Sequence, residues 1–331
     1  MSAVRRGVSA LALALVVLLT AISPAAAHAG GLSPTGVRGV VLDVSPRVPG
    51  LTVRAIEDGA RLEVSNDTAT AVRVPAGGGQ KRPVTVPTGT TRTWIDARAT
   101  TLDRDLGDAE RATWSVPLTA GGTAVTVTGE HVAEPAPPAL PWWALAAAVA
   151  GTLIAVARRA RRPHLLLAVA GLTTVAASLV HVVGSTLAVQ SAPLGGTFLD
   201  ATGIGLLVWP LVVVAAVAAI QGRAGGVLGV CAGAGLSVVF ILPDLTVFHF
   251  GVLPFAGPDA LERLLVAIVL GTGTAAAVAG AGALRALADS AEQAGALPPG
   301  RGSISGHDQS PSHDLSQSHD QSKSQNQREN S

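Results

Sequence analysis

Five apolar runs fill the second half of this chain, each close to the roughly 20 residues that a bilayer core requires. They fall at about 140–157, 165–186, 198–220, 225–243 and 261–284. In hydrocarbon such a run must pair its own backbone N–H and C=O groups, so each is expected as a helix. No other feature narrows the fold as much. Charged residues make up 14% of the chain against about 25% in soluble domains, and the deficit lies in these runs. A single cysteine, Cys231, excludes a disulfide framework and any multi-cysteine metal site. Met1 is the only methionine, which excludes thioether chemistry for copper(I). A net charge of +1 makes no electrostatic case for nucleic acid.

The N-terminus reads as a secretory signal over residues 1–27. Arg5 and Arg6 give the charged region, Val8 to Ile22 the apolar region and Ala25-Ala26-Ala27 the small residues before cleavage. Cleavage after Ala27 leaves His28 as the first mature residue, and cleavage after Ala29 discards it. Arginines set the orientation of the spans. Arg158, Arg159, Arg161 and Arg162 follow the first span, Arg223 separates the third from the fourth, and Arg285 follows the fifth, whereas the loop 187–197 has no Lys or Arg. Residues 30–133 are therefore expected outside a bacterial plasma membrane, with a cytoplasmic tail at 287–331. That tail repeats His-Asp pairs at 307, 313 and 319 amid Ser and Gln, a composition with little to bury, and is expected to be disordered.

Between signal and spans the pattern alternates. Val40, Leu42 and Val44 are expected on one strand face, as are Leu62 and Val64, Val72 and Val74, Val84 and Val86, and Val125 and Val127. Gly and Pro turns separate these pairs, the pattern of an antiparallel sandwich with Trp94 and Trp114 filling its core. A Pro-rich linker at 134–139 is expected to hold it away from the membrane. The expected fold is thus a multidomain membrane protein: an exported all-β immunoglobulin-like sandwich, then an all-α bundle of five transmembrane helices over 140–286. Trp209-Pro210 predicts a kink in the third span, since proline removes a backbone donor. Gly225, Gly229 and Gly233 predict a smooth face for close helix packing.

Leu51-Thr52-Val53-Arg54-Ala55, Arg61-Leu62-Glu63-Val64-Ser65-Asn66, Trp94-Ile95-Asp96-Ala97-Arg98 and Trp114-Ser115-Val116-Pro117-Leu118 stand in order ahead of the apolar half. In this order the chain resembles a group of uncharacterised membrane proteins of high-GC Gram-positive bacteria. The resemblance implies an architecture and no activity. It departs where those proteins carry a Tyr-containing segment: Gly77-Gly78-Gly79 stands there, and the chain has no Tyr. Ala27-His28-Ala29 also looks like the start of periplasmic copper-resistance sandwiches, whose mature chains begin with His.

Three groups are candidates for chemistry. His28 and its free amine could chelate copper(II), with a third ligand from His131 or a carboxylate such as Asp43 or Glu130. His181, Asp200, Asp244 and His249 all fall toward the outer side of the spans, where ionisable groups are functional suspects. Glu262 and Arg263 open the fifth span on that same side. In the exported part, Trp94, Asp96 and Arg98 would share a face if they lie in one strand, forming a patch for a ligand or partner. Asn66-Asp67-Thr68 matches a glycosylation sequon, and in a bacterial chain it reads as chance. No P-loop, His-Glu-x-x-His, Cys-x-x-Cys or Gly-x-Ser-x-Gly pattern is present, so no enzyme is expected. The expected role is a non-enzymatic envelope module, bound to the lipid bilayer and presenting its sandwich to a protein partner or ligand. The alternative is metal handling or transport of a small solute or ion by the outer-side His and Asp residues.

Overall fold

The computed structural model describes residues 29–296. The expected signal segment, His28 and the His-Asp repeats of the tail lie outside these residues. Eight strands form two antiparallel sheets: β1 (Val37–Ser45), β2 (Leu51–Ile56), β3 (Arg61–Asn66), β4 (Val72–Val74), β5 (Val84–Val86), β6 (Thr90–Trp94), β7 (Arg111–Ala120) and β8 (Thr123–Ala133). One sheet has the order β1-β8-β7-β4-β5 and the other β2-β3-β6. Their inward residues join in one core of Leu62, Val64, Val72, Val74, Val86, Val116 and Val127 with Trp94 and Trp114. β-branched side chains suit a pleated, half-buried surface, and valine supplies most of this core. Both indole N–H groups are buried without a hydrogen-bond partner among the described residues, so the two tryptophans contribute volume at a polar cost. β7 and β8 close through Gly121-Gly122, both at positive φ (56° and 85°), as a two-residue hairpin turn requires. Gly129 lies flat beneath the Trp114 ring, where any Cβ would overlap the indole.

The β1 pattern differs from the expected one. Its register against β8 shifts between Val41 and Asp43, so one extra residue bulges out. Val41 and Val44 pack on the core while Leu42 is 59% exposed. A single inserted residue reverses which side chains face inward, and Val40, Leu42 and Val44 therefore do not share a buried face. Asn66 is fully buried. Its amide donates to the carbonyls of Thr70 (2.9 Å) and Val86 (2.8 Å), and its Oδ1 accepts from Thr68, so the sequon asparagine is a structural brace.

Six helices follow: α1 (Leu140–Arg159), α2 (Pro163–Ala188), α3 (Leu194–Thr202), α4 (Gly205–Ile220), α5 (Ala224–Ile241) and α6 (Asp259–Ala296). A 3-10 segment, Leu242–Phe248, extends α5. Four helices are long and apolar enough to cross a membrane, or five spans if α3 and α4 count as one broken crossing. This fits a multi-pass membrane protein. α2 and α6 are central, with 50% and 61% of their apolar windows buried, whereas α1 is peripheral at 6%. Leu207, Leu211 and Val214 of α4 are each 67% exposed, an outward apolar face suited to lipid.

The third run is not the continuous helix expected over 198–220. α3 and α4 meet at 65° across Gly203-Ile204, and Gly203 takes φ 48°, ψ −125°, a conformation that glycine tolerates best. The sharp turn thus lies upstream of Trp209-Pro210, and Pro210 sits inside α4. In α5, Gly229 and Gly233 do face α4, meeting Ala215 and Val212. Gly225 faces open space, and Gly226 is the residue pressed against Ala219. The last helix also continues to Ala296, ten residues beyond the expected boundary at 286.

The linker does not act as a spacer. Glu134 N–H donates to Gly36 O (2.8 Å), the 134–135 backbone lies against Gly251, and Thr35 pairs with Val252 through two backbone hydrogen bonds (3.0 and 2.9 Å). Beside this seam, Glu57 reaches from the β2–β3 turn to the loop after α2. Its Oε1 accepts the N–H groups of Gln190 (2.9 Å) and Ser191 (2.8 Å), and its Oε2 accepts from Arg61 (2.9 Å). Arg61 also donates to Ser191 Oγ and to Gly30 O (3.1 Å). The Glu57 side chain is fully buried, and its backbone is left-handed at φ 55°. The sheets are therefore clamped onto the helices rather than tethered to them.

Candidate functional site

Three elements converge where the β part meets the helices. His181 lies near the C-terminal end of α2, Asp244 in the first turn of the 3-10 segment after α5, and Glu262 in the first turn of α6. The start of a helix presents free N–H groups and positive potential, which favour a carboxylate such as Glu262 there. His181 Nε2 stands 3.3 Å from Asp244 Oδ2, and its Nδ1 stands 2.7 Å from Glu262 Oε1. The second approach is a close contact rather than an aligned hydrogen bond. All three side chains are more than nine-tenths buried. Glu262 Oε2 has no hydrogen-bond partner among the described residues.

Neighbouring residues hold this arrangement. Arg263 is buried with its guanidinium donating to the carbonyls of Val247 (3.0 Å) and Phe250 (2.9 Å), which fixes the chain after Asp244 to α6. One turn beyond His181, Gly184 leaves room for the Phe255 ring, and its carbonyl accepts Ala256 N–H at 3.0 Å. The 249–258 loop is thereby pinned over the end of α2. Breaking one member out of a buried charge cluster is costly, so such groups inside an apolar bundle need a reason beyond stability.

A cavity of about 400 Å³ opens beside His181 and Asp244. Ser178, Asp200, Trp209, Ser237 and Phe240 help to line it, as does the α3–α4 break at Gly203-Ile204. Small-molecule sites commonly have this size, apolar walls and a few convergent polar groups.

Of the four expected outer-side residues, His181 and Asp244 are in contact and Asp200 lies exposed on the rim of the same cavity. His249 caps the 3-10 segment and is exposed, away from the cavity lining. Glu262 takes the place of a fourth ligand-like group, beside His181 rather than on the cavity wall. Its signal was a carboxylate at the start of an apolar run; its partner, 81 positions away, has no local signature.

The other candidates sit in the β part. β6 ends at Trp94, so Trp94, Asp96 and Arg98 do not share a strand face. Trp94 packs in the core. Asp96 is buried in the following turn, where both its oxygens accept from the Arg98 guanidinium (2.9 and 2.8 Å) and Oδ1 also accepts Arg98 N–H (3.0 Å). His131 is buried beside Trp114, with Nε2 2.9 Å from Ala99 O. Desolvation by burial pushes its pKa below the ordinary histidine value. Its intended copper partner, His28, lies outside the described residues. Among the described residues no group of three or more His, Cys, Asp or Glu is placed to hold a metal ion.

No protein-family model, curated protein or solved structure matches this chain.

Proposed function

We propose that this is a multi-pass plasma-membrane protein that takes a small solute or ion from the outer side, using a protonatable cluster inside its bundle. In this reading an immunoglobulin-like sandwich lies outside the cell and the tail inside, as the arginine placement favours. The activity is non-enzymatic. One observation carries the proposal: His181 is buried in the bundle with a carboxylate at each ring nitrogen and a cavity at its side. An imidazole so placed can accept a proton from one acid and return it to the other, the chemistry of intramembrane proton relays. The copper reading rests on His28, which lies outside the described residues.

The test is proton uptake into proteoliposomes holding a pH-sensitive dye, under an imposed membrane potential. Wild-type protein should acidify the lumen faster than empty vesicles, and His181→Gln or Glu262→Gln should remove most of the difference. Equal rates for wild type and empty vesicles would sink the proposal.

A second reading, an envelope module that binds a partner through its sandwich, is favoured by a different feature. A groove of about 730 Å³ runs between the free edges of β1 and β2, with the bulged Leu42 at its side. Crosslinking from position 42 in whole cells separates the two readings: a single discrete adduct supports the partner, and none removes it.

A further inference from the structure

The cavity beside His181 has a lining that selects by charge. Among its lining residues are two carboxylates, Asp200 and Asp244, one imidazole, His181, and neither lysine nor arginine. Glu262 stands behind His181 and adds a third carboxyl group to these surroundings. Arg263, next to Glu262 in α6, is committed to two backbone carbonyls and to Asp259 at 3.8 Å. A lining with two carboxyl groups and aromatic rings, and without Lys or Arg, is complementary to a positive ligand.

The remaining wall says what kind of cation. No oxygen cage suited to a bare metal ion forms there among the described residues. Trp209 and Phe240 instead offer aromatic surface, with Val182, Val208 and Ile241 as apolar wall and Ser178 and Ser237 as small polar points. Aromatic faces attract ammonium groups, tryptophan most strongly, and do so better when water is excluded. The volume exceeds that of a hydrated ion and matches a small organic molecule.

We propose that this cavity binds a small organic cation, a protonated or quaternary amine, with Asp200 at the mouth, Trp209 as the aromatic wall and Asp244 at the closed end. The inference rests on reading the His181 cluster as a solute site and names the class of solute. Asp200 is exposed on the rim, so its replacement probes the ligand without disturbing the buried cluster.

The test is calorimetric titration of the full chain in lipid nanodiscs made of phosphatidylglycerol. The probes are choline, its uncharged carbon isostere and the carboxylate of matching shape. Choline should bind at least about tenfold more tightly than the isostere, and the carboxylate should not bind. Asp200→Asn and Trp209→Leu should each weaken choline about tenfold, while Trp209→Phe keeps it within about threefold. Repeating the titration in phosphatidylethanolamine nanodiscs distinguishes sources: competition assigns the amine to a lipid headgroup, and unchanged affinity assigns it to a free solute. Equal affinity for choline and its isostere, or no choline binding at millimolar concentration, overturns the inference. If choline fails while proton uptake still depends on His181, this inference falls and the proposed function stands. If choline binds and proton uptake does not depend on His181, the relay falls and the cation site stands.

Discussion

Replacing Glu57 isolates the clamp between sheets and helices. Its carboxylate is fully buried, accepts two N–H groups at 2.9 and 2.8 Å, and pairs with Arg61 at 2.9 Å. Glu57→Ala removes an acceptor from two backbone donors and takes from Arg61, 19% exposed, its one carboxylate partner, leaving it Ser191 Oγ and Gly30 O. Removing one partner of a buried pair costs about 3–5 kcal/mol. The backbone adds a second handle, since a non-glycine residue at φ 55° carries about 1 kcal/mol of strain. Glu57→Gly loses the same contacts and sheds that strain, so it should be milder than Glu57→Ala by about 1 kcal/mol. Hydrogen exchange read by mass spectrometry suits this case, because the amides of Gln190 and Ser191 report the clamp directly. At about 1.4 kcal/mol per tenfold, exchange of the peptide covering them should accelerate by roughly two to three and a half orders of magnitude in Glu57→Ala, and somewhat less in Glu57→Gly. The core strands β7 and β8 should stay protected. Acceleration below tenfold in both variants would refute the reasoning, and Ala milder than Gly would refute the strain argument.

Three further outcomes are expected. Because burial depresses the His131 pKa, His131 stabilises the fold above its unfolded value of about 6.5, and that contribution is lost as pH falls through the folded value. Thermal unfolding of the β part should therefore weaken on acidification from about pH 7.5 to about pH 5, and His131→Gln should flatten the dependence; equal slopes would rule this out. Arg98→Ala strands a fully buried carboxylate and should cost about 2–4 kcal/mol by chemical denaturation. Asp96→Asn should cost less, since its amide oxygen still accepts Arg98 N–H and the 32% exposed arginine can turn to water; the reverse order would contradict the geometry. Gly184→Ala drives a methyl group into the Phe255 ring and should cost about 1–3 kcal/mol, part of which Phe255→Leu should restore in the double variant. Strict additivity would show that the two residues do not meet.

Strand positions were legible where alternation is local. Val72 and Val74, Val125 and Val127, and Leu62 and Val64 all point inward as their spacing implies. The β1 bulge was not legible, because Val40, Leu42 and Val44 alternate perfectly and only pairing with β8 reveals the extra residue. Apolar length located the helices, yet it is blind to a turn such as Gly203, which leaves hydropathy almost unchanged. The Pro-rich linker was misleading for a related reason. Its composition describes stiffness in isolation and says nothing of the Gly36, Gly251 and Val252 backbone waiting beside it. His181 and Asp244 could be assigned to one side from arginine placement. That Glu262 completes the contact depends on three helix ends meeting, which is a tertiary fact.

The Glu57 clamp spans 133 positions between carboxylate and first amide partner, and this separation orders events during biosynthesis. At about 5–20 residues per second, roughly 7 to 27 s pass between synthesis of residue 57 and of residue 190. Throughout that interval the sheets can assemble from contacts within residues 29–134, while Glu57 and Arg61 still lack their partners Gln190 and Ser191. The finished seam is therefore a late checkpoint: it closes only on a chain whose second helix has already been delivered to its place.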